Sequence, residues 1–218
     1  MNWIEQIATL PSKGVYSQFN EDRIIEHIFK TIPPISKLFV DVGAGQYSGE
    51  MSNTKLLHES GWNGVGLDAE TNHGYIKQAF ITPHNIIQLM LDSSVNVNFD
   101  FLNIDIDSCD YWVLKNILSK FKPAVICCEF NGCLNPNQST ALRYEDGYIW
   151  DGTDKYGFSF LAGKKLLELH GYKLIYNQHN TNLFAVQNSV VDLPFFEEVT
   201  AKQMHYHPHN TKAIWQFV

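Results

Sequence analysis

The sequence has no apolar run that approaches the roughly 20 residues of a membrane-spanning helix. Its first stretch, "MNWIEQIATLPSKG", lacks the basic region, the long apolar segment and the small-residue cleavage site of a secretory leader. No linker divides the chain, and 218 residues suffice for one full-sized core. These absences predict a single domain over residues 1–218, located in the cytoplasm and without a membrane partner.

Basic residues and paired cysteines are also scarce. Lysine and arginine number 16 against 23 acidic residues, which gives a net charge of -7. Nucleic-acid binding requires a basic face, so the balance disfavours a nucleic-acid partner and favours a small-molecule substrate. The four cysteines form no CxxC pair, and Cys127 and Cys128 lie in an apolar run. We expect reduced, buried thiols that act as small apolar side chains.

Apolar runs alternate with helical patterns through most of the chain, which is typical of βαβ units and a mostly parallel sheet. Residues 1–35 form a helical lead-in, with an amphipathic helix over 20–30. The segment "HNIIQLML" fits either a strand or a helix, but Thr82 and Pro83 favour a helix that begins there. The predicted strands are 38–43, 64–68, 78–82, 99–106 and 124–130, followed by an antiparallel hairpin of 172–178 and 182–188.

The first strand leads into a glycine loop, "FVDVGAGQ", in which Asp41, Gly43, Ala44 and Gly45 are candidates for cofactor binding. Glycines at the carboxyl end of a strand allow close approach of a ligand, although a tight turn without a ligand is the alternative. The third glycine of the nicotinamide fingerprint is missing, which disfavours an oxidoreductase.

A carboxylate ends the second strand. Asp68 lies where an acid accepts hydrogen bonds from the ribose of a nucleoside cofactor, and Glu70 is a competing candidate. An α/β fold is predicted by this order of elements: a strand, the GxG loop, a helix, a second strand that ends in an acid, and a closing hairpin. It is the Rossmann-like sheet of class I methyltransferases, with seven mostly parallel strands and helices on both faces.

Six segments between residues 16 and 175 together resemble the FkbM-like family of S-adenosylmethionine-dependent methyltransferases. They are "YSQFNEDRIIEHIF", "FVDVGAGQYSGEMSNTKLL", "GWNGVGLD", "FDFLNIDIDSCDYWVL", "PAVICCEFN" and "GYKLI". The resemblance implies that S-adenosylmethionine lies against Gly43–Gly45 with Asp68 on its ribose, and that Asp105 and Asp107 line the reacting end. The family acts mostly on hydroxyls of sugars and secondary metabolites. Ser108 stands here where the family usually has glycine.

Three aspartates follow one another at the end of the fourth strand. Asp110 fits the first helical turn, Asp107 is either a helix cap or a site residue, and Asp105 is the strongest site candidate. Asp105 could hold the donor or serve as a general base. It could instead join Glu129 and Asn131, at the end of the fifth strand, in an all-oxygen site for Mg²⁺ or Mn²⁺.

A loop rich in aromatic residues, 132–157, is the predicted substrate loop. Arg143, Tyr144 and Trp150 are its candidates for substrate binding, beside Glu129 and Asn131, although ordinary surface packing explains the aromatic residues nearly as well. His73 is a possible catalytic base. The histidines of "HYHPH", 205–209, could bind a metal but fit a solvated tail better.

The sequence therefore predicts an S-adenosylmethionine-dependent O-methyltransferase that acts on a sugar, a nucleotide-activated sugar or another small metabolite. A methyltransferase-fold binding protein without turnover and a methyltransferase acting on nitrogen remain alternatives. The number of subunits is not predicted.

Overall fold

The computed structural model describes residues 1–45, 51–204 and 214–218. Its helices are α1 (Trp3–Ile7), α2 (Glu21–Thr31), α3 (Lys55–Glu59), α4 (Ile86–Asp92), α5 (Asp110–Lys120) and α6 (Phe160–Leu169). Its strands are β1 (Leu38–Val42), β2 (Asn63–Asp68), β3 (Ile76–Gln78), β4 (Asn98–Ile104), β5 (Lys122–Glu129), β6 (Thr140–Leu142), β7 (Tyr172–Gln178), β8 (Asn182–Gln187) and β9 (Trp215–Phe217). The predicted histidine tail, 205–209, lies outside the described residues.

Seven strands form one sheet in the order β3-β2-β1-β4-β5-β8-β7. The first five are parallel, whereas β8 runs antiparallel between β5 and β7. This order confirms the predicted Rossmann-like sheet with its antiparallel hairpin. Because the chain turns one way after β1 and the other way after β4, a crevice forms at the carboxyl ends of these two strands.

Helices cover both faces of the sheet, as predicted. One core joins α4, α5 and α6 to the sheet through residues such as Met90, Ile117 and Leu166. The other joins α1, α2 and α3 to the opposite face, where Ile24 and Ile28 are fully buried. The predicted apolar face of the helix at 20–30 is therefore confirmed. No helix among the described residues is long and apolar enough to cross a membrane.

Two predicted boundaries near the third strand are wrong. The strand occupies Ile76–Gln78 rather than 78–82, and α4 begins at Ile86 rather than at Pro83. The reason is a turn in which the Thr82 N–H donates to Asn85 Oδ1 at 2.8 Å while the Asn85 N–H donates to Thr82 Oγ1 at 3.2 Å. These are the two bonds of a capping box, so Thr82 caps the turn of residues 83–85 that leads into α4, while the regular helix begins only at Ile86.

The fourth strand ends at Ile104, two residues earlier than predicted. Asp107 has a left-handed backbone (φ 53°), which cannot continue an extended strand. The predicted cap at Asp107 or Ser108 is also wrong, since Cys109 precedes the helix without a side-chain cap. Asp110, in the first turn as predicted, accepts the N–H groups of Ile106 at 2.9 Å and Ser108 at 3.0 Å. It therefore closes the turn between β4 and α5.

The predicted substrate loop contains a strand that the sequence pattern did not indicate. Residues Thr140–Leu142 pair antiparallel with Trp215–Phe217 in a separate two-stranded sheet. The rest of the loop returns to the main sheet through hydrogen bonds at Asn131 and Ser108.

Candidate donor pocket and acidic cluster

The glycine loop packs directly on the end of β4. Gly43 has φ 89°, and a Cβ atom at this position would lie 1.7 Å from the carbonyl oxygen of Asp105. The N–H groups of Gly43 and Ala44 both donate to Leu67 O, at 2.9 and 3.1 Å. Glycine is therefore required at position 43 by backbone conformation and by space.

Asp68 ties this loop to the turn after β2. One of its carboxylate oxygens accepts the Gly45 N–H at 2.9 Å. The other accepts the N–H groups of Glu70 at 2.8 Å and Thr71 at 2.9 Å. A carboxylate oxygen can accept more than one hydrogen bond, so the Gly45-bound oxygen of this partly exposed group still has room for a ligand hydroxyl.

An open pocket of about 330 Å³ lies between the glycine loop and the start of α3. Its volume is within the range of small-molecule sites, roughly 300–1,000 Å³. The lining residues are Asp41, Gly43, Ala44, Gly45, Met51, Ser52, Asn53, Asn103 and Asp105.

A chain of buried polar side chains forms the floor of this pocket. Asp41 accepts the Thr54 hydroxyl at 2.6 Å and the Asn103 amide at 2.8 Å, and Asn53 donates to Asn103 Oδ1 at 3.1 Å. Burial raises the pKa of Asp41, while the bonds from Thr54 and Asn103 oppose the shift. The chain fixes the orientation of each carboxamide, so the polar floor is rigid.

Three carboxylates converge beside the pocket. Asp105, Asp107 and Glu129 each contribute an oxygen, and these oxygens all lie within 4.8 Å of one another. All three side chains are partly buried, and Glu129 Oε2 has no hydrogen-bond partner. Among the ion pairs of the described residues, none neutralises any of the three. Because Asp105 also lines the pocket, the two features are continuous.

The crowding of these acids raises their pKa values. Burial, followed by the charges of Asp107 and Asp110, raises the pKa of Asp105 to about 8. Burial and the charge of Asp105 raise the pKa of Glu129 well above its usual range. Burial alone raises that of Asp107. The cluster therefore retains protons at neutral pH unless a cation offsets its charge.

This donor set fits a hard divalent cation. Mg²⁺ and Mn²⁺ prefer carboxylate oxygens, and the unpartnered Glu129 Oε2 is a buried acceptor that a cation would satisfy. Asn131, predicted as the third ligand, has another role in the structure. Its Nδ2 donates to the carbonyl oxygens of Asp154 and Tyr156, at 2.7 and 3.0 Å, and its Oδ1 accepts the Cys133 N–H at 3.0 Å. Asp107 stands in the cluster in its place.

Asn131 fastens the aromatic loop to the end of β5. This anchor brings Tyr156 beside the cluster, where burial and the charges of Glu129, Asp107 and Asp105 raise the pKa of its phenol. The Trp150 ring meets the Tyr156 ring edge-on, with centroids 6.1 Å apart, and its indole N–H donates to Thr153 O at 2.6 Å. The loop thus places the Tyr156 ring beside the acids and the Trp150 ring against Tyr156.

The remaining predicted site residues lie apart from the pocket lining. Arg143 and Tyr144 border a narrow cleft of only about 10 Å³ beside Ser108 and Cys109. Glu70 is exposed after Asp68, and His73 is exposed in the connection to β3, where it bridges to Ile76. None of these four residues belongs to the pocket lining or to the three carboxylates of the cluster.

Sequence reasoning missed Met51 and Asn53 as pocket residues and Tyr156 as a neighbour of the cluster. Asn53 had a detectable signal, since a buried carboxamide directly before a short helix requires polar partners. Tyr156 had none, because its position depends on Asn131, 25 residues earlier in the chain.

The sheet order, the glycine turn after β1 and the acid after β2 together define the class I methyltransferase fold. Among solved structures, the chain is similar to the MycE methyltransferase from the mycinamycin biosynthetic pathway in complex with Mg and S-adenosylhomocysteine (SAH). The identity is 14%, the TM-score is 0.50, and the alignment covers 89% of this chain and 58% of that chain.

A second similar structure is the N-terminal domain of EvdMO1 with SAH bound, at 12% identity and a TM-score of 0.46, covering 79% of this chain and 82% of that one. No family model and no curated protein sequence matches the chain. At these identities the likeness to MycE establishes the fold alone, and this chain spans less than two thirds of the MycE chain.

Proposed function

We propose that this protein is an S-adenosylmethionine-dependent O-methyltransferase of the FkbM-like type. The observation that carries the proposal is the continuity of the pocket with the acidic cluster through Asp105. A donor pocket and an acceptor site must meet at one point for methyl transfer, because the reaction depends mainly on alignment. MycE, which shares the fold, binds SAH and Mg in its crystal structure.

In this proposal the glycine loop and Asp68 hold the donor. The backbone of Gly43–Gly45 lets the donor approach closely, and Asp68 accepts hydrogen bonds from the ribose hydroxyls. Asp41, Asn103 and Asn53 form the polar floor beneath it. Glu70 remains a competing ribose partner that is exposed to solvent.

Bound S-adenosylmethionine supplies a methyl group that its sulfonium already activates. The chain's own residues then orient the acceptor hydroxyl and take up its proton. Asp105 is the residue best placed for this step, because it touches both the pocket and the acids. In the cation-free protein, burial raises the pKa of Asp105 to about 8, so its carboxylate binds a proton readily near neutral pH.

Asp105, Asp107 and Glu129 would hold Mg²⁺ or Mn²⁺ in this proposal. A bound cation would offset their mutual repulsion and would supply Lewis-acid chemistry that favours loss of the acceptor hydroxyl's proton. The rings of Trp150 and Tyr156 suit the apolar faces of a sugar or of another small hydroxylated metabolite.

Binding of SAH by isothermal titration tests the donor site. We expect saturable binding to the wild-type protein and at least about tenfold weaker binding to Asp68→Asn, which loses the charged acceptor. Glu70→Gln tests the competing ribose partner: wild-type affinity assigns the ribose to Asp68, and a loss larger than that of Asp68→Asn assigns it to Glu70. Absence of binding at millimolar SAH contradicts the proposal.

Turnover separates the leading function from its rivals. Methyl transfer from labelled S-adenosylmethionine to a panel of monosaccharides, sugar nucleotides and amines identifies the acceptor atom. Methyl transfer to hydroxyl compounds supports the proposed O-methyltransferase activity. Transfer to amines alone would instead show an N-methyltransferase. Donor binding without consumption across the whole panel would favour a binding protein.

A further inference from the structure

A fully buried carboxylate stands at the start of α2. Glu21 is 0% exposed, and each of its oxygens has one partner. Oε2 accepts the Phe19 N–H at 3.0 Å, and Oε1 accepts the side-chain amide of Asn182 at 3.2 Å. An ionised carboxylate can only accept hydrogen bonds, so Asn182 must turn its NH₂ group toward Glu21. Its Oδ1 therefore faces away from Glu21.

Asn182 is the cross-strand partner of Glu129. The two residues are paired in the antiparallel ladder of β5 and β8, which places their side chains on the same face of the sheet. Asn182 Oδ1 and Glu129 Oε2 are both buried, and neither has a hydrogen-bond partner. Two neighbouring buried acceptors without a donor are unfavourable unless a proton, a water molecule or a cation lies between them.

A cation explains this pair together with the cluster. Glu129 belongs to the three-carboxylate group and is the cross-strand partner of Asn182, so the pairing places Asn182 next to that group on one face of the sheet. Carboxamide oxygens are common partners of carboxylates around hard cations. Gln178 is the partner of Asn182 on β7, and its Oε1 is also buried and unpartnered. It lies one strand farther from Glu129 than Asn182 does, and its amide donates to Asn20 at 3.0 Å.

We propose that Asn182 completes the divalent cation site through its Oδ1, beside Asp105, Asp107 and Glu129, and that Glu21 is the positioning residue that fixes the carboxamide. The inference rests on the cation site of the proposed function and assigns it a fourth protein oxygen. It also gives the buried carboxylate of α2 a role, since an orienting partner of a ligand tunes metal affinity from outside the coordination sphere.

Titration of Mn²⁺ into a mutant cycle tests this inference. We expect Asn182→Leu to weaken Mn²⁺ binding about tenfold, and Glu21→Gln by a similar factor because the carboxamide is then free to rotate. The double variant should bind like Asn182→Leu alone, since Glu21 acts only through Asn182. Gln178→Leu, equally buried in the same hairpin, should keep the wild-type affinity.

Circular dichroism checks the fold of each variant. If Asn182→Leu does not fold, Asn182→Asp replaces it in the test. Aspartate keeps a side-chain oxygen at the proposed ligand position, so Asn182→Asp should bind Mn²⁺ at least as tightly as Glu21→Gln does, and weaker binding overturns the inference. A folded Asn182→Leu with wild-type affinity overturns the inference, as does a double variant weaker than Asn182→Leu.

Parallel SAH titrations separate this inference from the proposed function. Wild-type protein that binds SAH but no Mn²⁺ overturns the cation site and leaves the donor site standing. The expected Mn²⁺ pattern in a protein that binds no SAH supports the cation site and overturns the methyltransferase proposal.

Discussion

Replacement of Asp105 with asparagine should stabilise the cation-free protein. Asparagine keeps the shape of the side chain and removes one charge from the cluster of Asp105, Asp107 and Glu129. The pKa of Asp105 rises from 3.8 to about 8, chiefly through burial. The folded state therefore binds a proton that the unfolded state has released. Between about pH 4 and pH 8, the wild-type protein loses stability as the pH rises.

The size of the effect follows from the shift. Each pKa unit corresponds to roughly 1.4 kcal/mol at most, and solvent at the open pocket and the shared charge of Glu129 reduce this limit. We expect Asp105→Asn to gain about 2 kcal/mol at pH 8, or roughly 4–8 °C in Tm for a chain of this size. The gain should shrink as the pH falls and approach zero only below about pH 4, where the wild-type carboxyl is protonated in both the folded and the unfolded state.

Urea denaturation with EDTA, at one-unit pH steps, measures this gain. Asp192→Asn, an exposed carboxylate outside the site, is the control and should leave the stability near that of wild type at every pH. Saturating Mg²⁺ should stabilise the wild-type protein by about 2–3 kcal/mol at 100 times its Kd and leave Asp105→Asn almost unaffected. The reasoning fails if Asp105→Asn is less stable than wild type at pH 8 in EDTA, or if the difference does not grow with pH.

Three further predictions concern the glycine turn, the base of the sheet and the cation. Gly43→Ala should cost at least about 2 kcal/mol more in thermal denaturation than Gly61→Ala. Both glycines have positive φ, but only at Gly43 would an added Cβ atom collide with backbone, that of Asp105. Equal losses of stability in the two variants would therefore contradict the close packing of Gly43 on Asp105. Asp100→Ala should lower the free energy of unfolding in urea by about 2–4 kcal/mol, because the Asp100 carboxylate accepts the N–H groups of three residues between 35 and 38. The folded variant should keep the SAH affinity of the wild-type protein. Mn²⁺ affinity, measured by calorimetry, should rise from pH 6 to pH 8 because Asp105 must lose its proton before it binds the cation. The rise should be at most about tenfold per pH unit for each proton released, and an affinity that does not change with pH would count against these ligands.

Local sequence pattern predicted the sheet well because strands and helices obey short-range rules. The apolar face of α2 and the buried runs of β1, β4 and β5 repeat at intervals that a single segment displays. Boundaries failed where side chains bond across a turn. Thr82 and Asn85 bond to each other across a turn that precedes the regular part of α4, and Asp107 adopts a left-handed backbone instead of extending β4.

The candidate site likewise contains residues that the sequence pattern predicted and residues that only the structure revealed. Asp41, Gly43, Asp68 and Asp105 could be chosen from the sequence, because each lies at the end of a predicted strand and parallel strands end at a common edge. The cation partners could not be chosen so reliably. Asn131 follows β5 as closely as Glu129 does, yet its carboxamide holds the aromatic loop.

The sequence by itself determined the order of the strands along the chain, the glycine that the turn after β1 requires and the acids at the strand ends. Only the tertiary structure decided which acids face one another. It placed Asp107 in the cluster, Tyr156 beside it and Asn182 opposite Glu129. The physical reason is that hydrogen bonding and charge repulsion act over a few ångströms in space, whereas their partners can be far apart in the chain, as with Asn182 and Glu21, which are 161 positions apart.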